Sequence, residues 1–131
     1  MDVADPPSAV FSGSAPRPIG PYSQAVRAGG FLFMSGQLGV DPGTGAVVEG
    51  GAAEQAEAAL RNISAVLEAA GAGIGDVVKV SIYLRDIADF PAVNAVYARH
   101  FSSWKPARTT VGGLMLPKGA LVEVDAIAMA P

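Results

Sequence analysis

Arg108 stands in the stretch KPARTTVGG, residues 105 to 113, and the text that follows, LMLPKGALVEVDAIAMA, is mostly apolar. A guanidinium keeps its charge at any ordinary pH and offers a planar fork of donors that matches a carboxylate bidentately. Spacing alone leaves two uses for it. The plainer is a salt bridge to an acidic side chain of the protein; the other is a ligand that carries a carboxylate. Glu123 and Asp125 raise the complementary question. They alternate with Val122, Val124 and Ala126, so in a strand both point to the same side as Leu121 and Ile127. A carboxylate in such company is expensive unless it is paired or hydrogen-bonded. Glu123, framed as LVEV, reads as a buried functional acid, whereas Asp125 fits a solvated strand edge equally well.

Other candidates carry less. Tyr22 in IGPYSQA and Ser35 in FMSGQ sit beside Gly and Pro in contexts that line pockets, but each alone also fits a packed tyrosine or a turn serine. His100, the single histidine, falls at the end of an amphipathic segment and reads as a helix C-terminal residue without a catalytic task. One histidine and no nucleophile elbow exclude a Ser-His-Asp triad. DPGTG lacks the Lys-Ser/Thr continuation of a phosphate loop, and Gly112-Gly113 is too short to be one.

Composition narrows the field further. The chain has no cysteine, which excludes disulfides, thiolate catalysis, Cys-based zinc sites and iron–sulfur clusters. Half of its 131 residues are hydrophobic and 16% are charged, as in a packed globular domain. With 9 Lys and Arg against 12 Asp and Glu there is no global basic field, so nucleic-acid binding is not expected. The N-terminal text shows no basic start followed by an apolar core, and no run approaches the ~18 apolar residues of a membrane span. The expectation is a cytoplasmic protein forming one domain over 1–131, with residues 1 to 16, rich in Pro, Ser, Ala and Gly, as a flexible tail.

The elements that must position these residues are legible as periods. SQAVRAGGFLFMSGQLGV predicts a β-hairpin turning at Ala28-Gly29-Gly30. Ala56, Leu60, Ile63, Leu67 and Ala70 form one helical stripe, with Gly71 as its stop. VVKVSIYLRD predicts a strand. DFPAVNAVYARHF predicts a helix capped by Asp89, with Val93, Val96, Tyr97 and Phe101 buried. Two strands follow, at about 108 to 115 and 121 to 129. The order ββαβαββ predicts an α+β two-layer sandwich with both helices on one face of the sheet. The last strand is nevertheless apolar on both sides, so a second copy packing sheet on sheet is the simplest cover for the other face.

The segments PIGPYSQAV, FLFMSGQLGVDPGTG, QAEAALRNISAVLEAAG, DVVKVSIYLRDIADFPAVNAVYARHF, PARTTV and LPKGALVEVDAIA follow in that order from Pro18 to Ala128. Together they closely resemble the reactive-intermediate deaminase family, called RidA or YjgF. The most specific parts are the Pro-Ala-Arg and the later Val-Glu-Val. The resemblance implies a chorismate-mutase-like fold of the bacillus type and a homotrimer with pockets at subunit interfaces. It implies a hydrolase of metabolite damage control, which turns enamines and imines such as 2-aminoacrylate and 2-iminopropionate into 2-oxo acids and ammonia, with no metal or organic cofactor. Arg108 falls on the family's carboxylate-binding arginine and Glu123 on its water-positioning glutamate. Tyr22 and Ser35 fall on the pocket tyrosine and serine, and Asn94 on the helix asparagine. Many members carry a cysteine two residues after the arginine; here Thr110 stands there, with a hydroxyl or backbone N–H to offer the substrate. The family also holds translation inhibitors or ribonucleases, chaperones and small-molecule regulators, which are the alternatives.

One geometric test follows. If the last two strands paired as a hairpin, Arg108 would face a residue near 128, about five residues or ~17 Å from Glu123. Either those strands do not pair, or the site borrows residues from a neighbouring subunit.

Overall fold

The computed structural model describes residues 5–131. Its elements are β1 (Ser8–Val10), β2 (Ala25–Ala28), β3 (Phe31–Leu38), α1 (Ala52–Ala69), β4 (Val77–Leu84), α2 (Phe90–His100), β5 (Ala107–Val111) and β6 (Val122–Met129). The strands form a single six-stranded sheet in the order β1-β2-β3-β6-β4-β5. β5 lies parallel to β4, which α2 makes possible by carrying the chain back across one face. All other pairings are antiparallel.

Local chemistry sets most of these boundaries. Gly29 and Gly30 both take positive φ (58° and 82°), the backbone that a tight hairpin between β2 and β3 requires. α1 ends as the glycine predicts. Gly71, at φ 78°, donates its N–H to the Glu68 carbonyl (2.9 Å) while Ala72 donates to that of Leu67 (2.9 Å). The predicted stripes of both helices are buried against one side of the sheet, where they meet Val80, Ile82 and Leu84 of β4 and Val122, Val124, Ala126 and Ala128 of β6. Among the described residues, no layer covers the opposite side. Phe33 and Met129 are each 46% exposed there, and Phe31 and Val111 are exposed beside them.

The structure decides three points, and two of them are corrections. The stretch expected as a flexible tail includes a strand: β1 pairs Ser8 with Arg27 and Val10 with Ala25, adding a sixth strand to the predicted five. Behind it, the buried Gln24 side chain accepts from the Ser12 N–H (2.6 Å) and donates to the carbonyls of Ser12 (3.2 Å) and Pro16 (2.9 Å). Residues 1 to 4 lie outside the described residues. Second, the pairing of the last two strands, left open by the sequence, is decided: β5 and β6 are not a hairpin, because β4 lies between them. Third, Asp89 sits at the start of α2 without a side-chain cap bond. Asp86 caps instead, one turn earlier, its carboxylate accepting from the Ala88 N–H (2.9 Å).

Candidate active site

Register decides which residues can meet. Glu123 on β6 lies opposite Tyr83 on one flank and Leu38 on the other, while Arg108 on β5 lies opposite Val80. Residues paired across neighbouring strands share a face. Val80 is buried under the helices, so Arg108 and Thr110 point to the helix side. Glu123 alternates with buried Val122 and Val124, so it points to the open side. Two strand spacings and three residues of register add ~14 Å to that opposition. Within one chain the two residues do not share a site.

Each instead anchors its own cluster. On the open side, Glu123 lines a cleft of about 740 Å³ with Tyr22, Ser35, Gly36, Gln37 and Lys118. The cleft owes its shape to a bulge. Between Met34 and Gln37 the register of β3 slips against β6, so Ser35 and Gly36 swing out of the ladder. Ser35 is held by its own hydroxyl, which donates to the Ser23 carbonyl (2.6 Å), and by its N–H, which donates to that of Gln24 (3.0 Å). Gly36 lies under the Glu123 carboxylate; a Cβ there would overlap it. Gly36 is not among the candidates above; its one signal in the sequence is a glycine inside a strand pattern, which marks a bulge or a close approach. Burial, and then the Asp125 carboxylate on the same face, push the Glu123 carboxyl above the usual glutamate range. Asp125 is not at a solvated edge: it sits on a central strand, where Tyr83 Oη donates to it (2.9 Å).

On the helix side, Arg108 Nη1 donates to Asn94 Oδ1 (2.6 Å), so the α2 asparagine and the β5 arginine do meet. The guanidinium carbon lies 4.7 Å from the Tyr97 ring centre and 5.2 Å from that of Phe90. Among the described residues no carboxylate lies within ion-pair distance of Arg108, so the intramolecular salt bridge is not its role here. Thr110 Oγ1 is buried on the same face of β5 and has no hydrogen-bond partner. His100 stands apart, bonded to the Glu57 carboxylate of α1, and ties the helices together. A second cleft of about 620 Å³ between α1 and the loop after β3 contains none of the candidate residues.

These clusters sit on a chain whose residues 12–130 match the family model described as Endoribonuclease L-PSP. The chain belongs to the RidA/YjgF family. Relatives within it include a RutC family protein of Pyrococcus horikoshii, 51% identical over 119 residues that cover 91% of this chain and 94% of that one. A 2-iminobutanoate/2-iminopropanoate deaminase of Dermatophagoides farinae is 49% identical over 115 residues, 88% of this chain and 90% of that one. Among solved structures of the family, a putative endoribonuclease L-PSP from Entamoeba histolytica superposes with a TM-score of 0.92 at 42% identity, covering 95% of this chain and 99% of the other. The YjgF gene product of E. coli superposes at 0.89 and 40% identity, over 93% and 98%. The mixed α+β fold, with a six-stranded sheet and two helices, is thus the family's own.

Proposed function

We propose that the protein hydrolyses 2-imino acids and their 2-enamino tautomers to 2-oxo acids and ammonia, at sites completed between subunits of a chorismate-mutase-like homotrimer. The observation that carries this is the division of the candidate residues. A guanidinium without an acidic partner lies on one face, and a half-buried carboxyl in an open cleft lies on the other. The apolar open face supports the assembly, because a second copy packed there would remove Phe31, Phe33, Val111 and Met129 from water. Relatives named as deaminases at 48–49% identity support the reaction.

In this mechanism Arg108 of one subunit holds the substrate carboxylate while Tyr22, Ser35 and Glu123 of its neighbour surround the imine. Asn94 fixes the guanidinium. The buried Thr110 hydroxyl is free to donate to the same carboxylate. An enamine first gains a proton from solvent at C3 to become the iminium, the protonated form of the imine. Glu123 then takes a proton from water as the oxygen attacks the iminium carbon, and the C=N electron pair moves to nitrogen. Glu123 returns that proton to the nitrogen; it then takes the proton of the new hydroxyl as the O–H electron pair forms the C=O bond and the C–N bond breaks, which leaves the 2-oxo acid, ammonia and a protonated Glu123 that loses its proton to solvent. Water is the nucleophile, so Thr110 in place of a cysteine does not interrupt the chemistry.

The test is ammonia release from 2-imino acids generated in situ from several amino acids, with wild type and Arg108→Ala side by side. Loss of turnover in the variant is expected; equal rates would overturn the assignment. The description of the family as endoribonucleases favours a second reading, RNA cleavage. Against it stand the acidic composition and the lack of a basic, aromatic patch in the sequence. RNA cleavage that persisted in Arg108→Ala and fell steeply with added salt would reverse the preference.

A further inference from the structure

Four residues of α2 and its C-terminal cap fall on one line: Phe90, Asn94, Tyr97 and Phe101, spaced by four, three and four. Of the four, only Asn94 accepts from the guanidinium, and an amide oxygen does so without neutralising it. Tyr97 stacks on Phe101 at 4.6 Å between ring centres, and Arg108 lies over the rings of Phe90 and Tyr97. The arginine is therefore held by ring faces and one amide oxygen.

We propose that Phe90 and Tyr97 are positioning residues that fix the plane of the Arg108 fork for a carboxylate. This rests on the deaminase reading above. A ring face attracts a guanidinium through its quadrupole and consumes no N–H group. An acidic partner would hold the side chain equally well, but would neutralise it and occupy the fork edge that a substrate carboxylate needs. With Nη1 donating to Asn94, stacking suppresses rotation of the long side chain, so less freedom is lost when the ligand binds.

The Tyr97 hydroxyl plays no part in this. Tyr97 is only 8% exposed, and its Oη is buried with no partner. Replacing it with Phe removes an unsatisfied polar atom and keeps the ring, so Tyr97→Phe is the conservative rescue.

The experiment compares wild type, Tyr97→Phe, Tyr97→Leu, Phe90→Leu and Arg108→Ala by imino-acid kinetics. In parallel, side-chain 15N NMR reports the order of the Arg108 guanidinium. Tyr97→Leu and Phe90→Leu are expected to raise KM about 3- to 30-fold with kcat little changed, and to loosen the guanidinium. Tyr97→Phe is expected to match wild type in both readouts. Phe90 is only partly buried, so Phe90→Leu decides the matter if Tyr97→Leu does not fold. Unchanged KM and unchanged order in the leucine variants would overturn the proposal, as would a Tyr97→Phe defect as large as that of Tyr97→Leu. If wild type released no ammonia from 2-imino acids, the deaminase reading would fall, while guanidinium order lost in the leucine variants would still uphold the positioning role.

Discussion

Arg108 and Glu123 point to opposite faces of one sheet, separated by β4, the strand that pairs with both of theirs. No rotamer change within a chain brings them onto one small substrate. A reaction that needs both must draw them from two copies.

That relationship predicts complementation. Arg108→Ala and Glu123→Gln are each expected to be inactive alone. Mixed 1:1, unfolded and refolded together, they should regain about a quarter of wild-type activity, the chance that one interface receives both intact residues. A mixture as inactive as its parents would place both residues in the same subunit's site.

The open face is expected to be an obligate interface. Phe33→Glu puts a charge among Phe31, Ile127 and Met129, where its desolvation opposes sheet-on-sheet packing. Sedimentation should show a monomer that retains its circular dichroism but has lost imine hydrolysis. An unchanged sedimentation coefficient would argue that another surface assembles the protein.

The acid limb of the rate profile should belong to Glu123. It works as a base when ionised, so kcat/KM rises as pH climbs through its titration. Burial is the first cause of its raised pKa and Asp125 the second. Asp125→Asn removes the second while still accepting from Tyr83, so the limb should move to lower pH. A limb that stayed fixed or moved upward would remove Glu123 from the role of base.

Gly36 offers a test that leaves the acid itself in place. Its φ is not positive, so alanine introduces no backbone strain there, yet a Cβ would displace the Glu123 carboxylate. Gly36→Ala should keep its melting temperature and lose about 10²-fold in kcat, on the scale of a displaced general base. A fully active variant would show that the carboxylate works from some other position.

Gln24→Ala should cost about 1–3 kcal/mol, because the Ser12 N–H and the carbonyls of Ser12 and Pro16 lose a buried partner together. Chemical denaturation measures this. A change below the error of the fit would mean that the segment after β1 is held by β1 alone.

Periodicity was enough to read both helices, because α1 and α2 each bury one unbroken stripe, and enough to read β6, whose Val122, Val124, Ala126 and Ala128 alternate cleanly. It could not show that β6 inserts between β3 and β4. Alternation states which side a residue faces, not which strand lies next to it. β1 was missed for a related reason: three residues set among Pro, Ser and Gly carry too little pattern to outweigh a loop. The side chosen by Arg108 was equally hidden, since Ala107, Thr109, Thr110 and Val111 show no apolar alternation. Nor could periodicity show that Asn94 and Arg108 meet, because they lie on different elements. Of the aromatic seat beneath Arg108, Tyr97 reads from the sequence only as core, and Phe90 lies outside the predicted stripe.

The place of β6 has a consequence for synthesis. It forms the centre of the sheet, yet it follows every other strand in the chain. Until residues 122–129 leave the ribosome, β3 and β4 each present an open edge beside half-built apolar layers. The nascent protein therefore completes its fold only after translation of β6, and a chain stopped short of Val122 would expose two adhesive strands in place of a finished sheet.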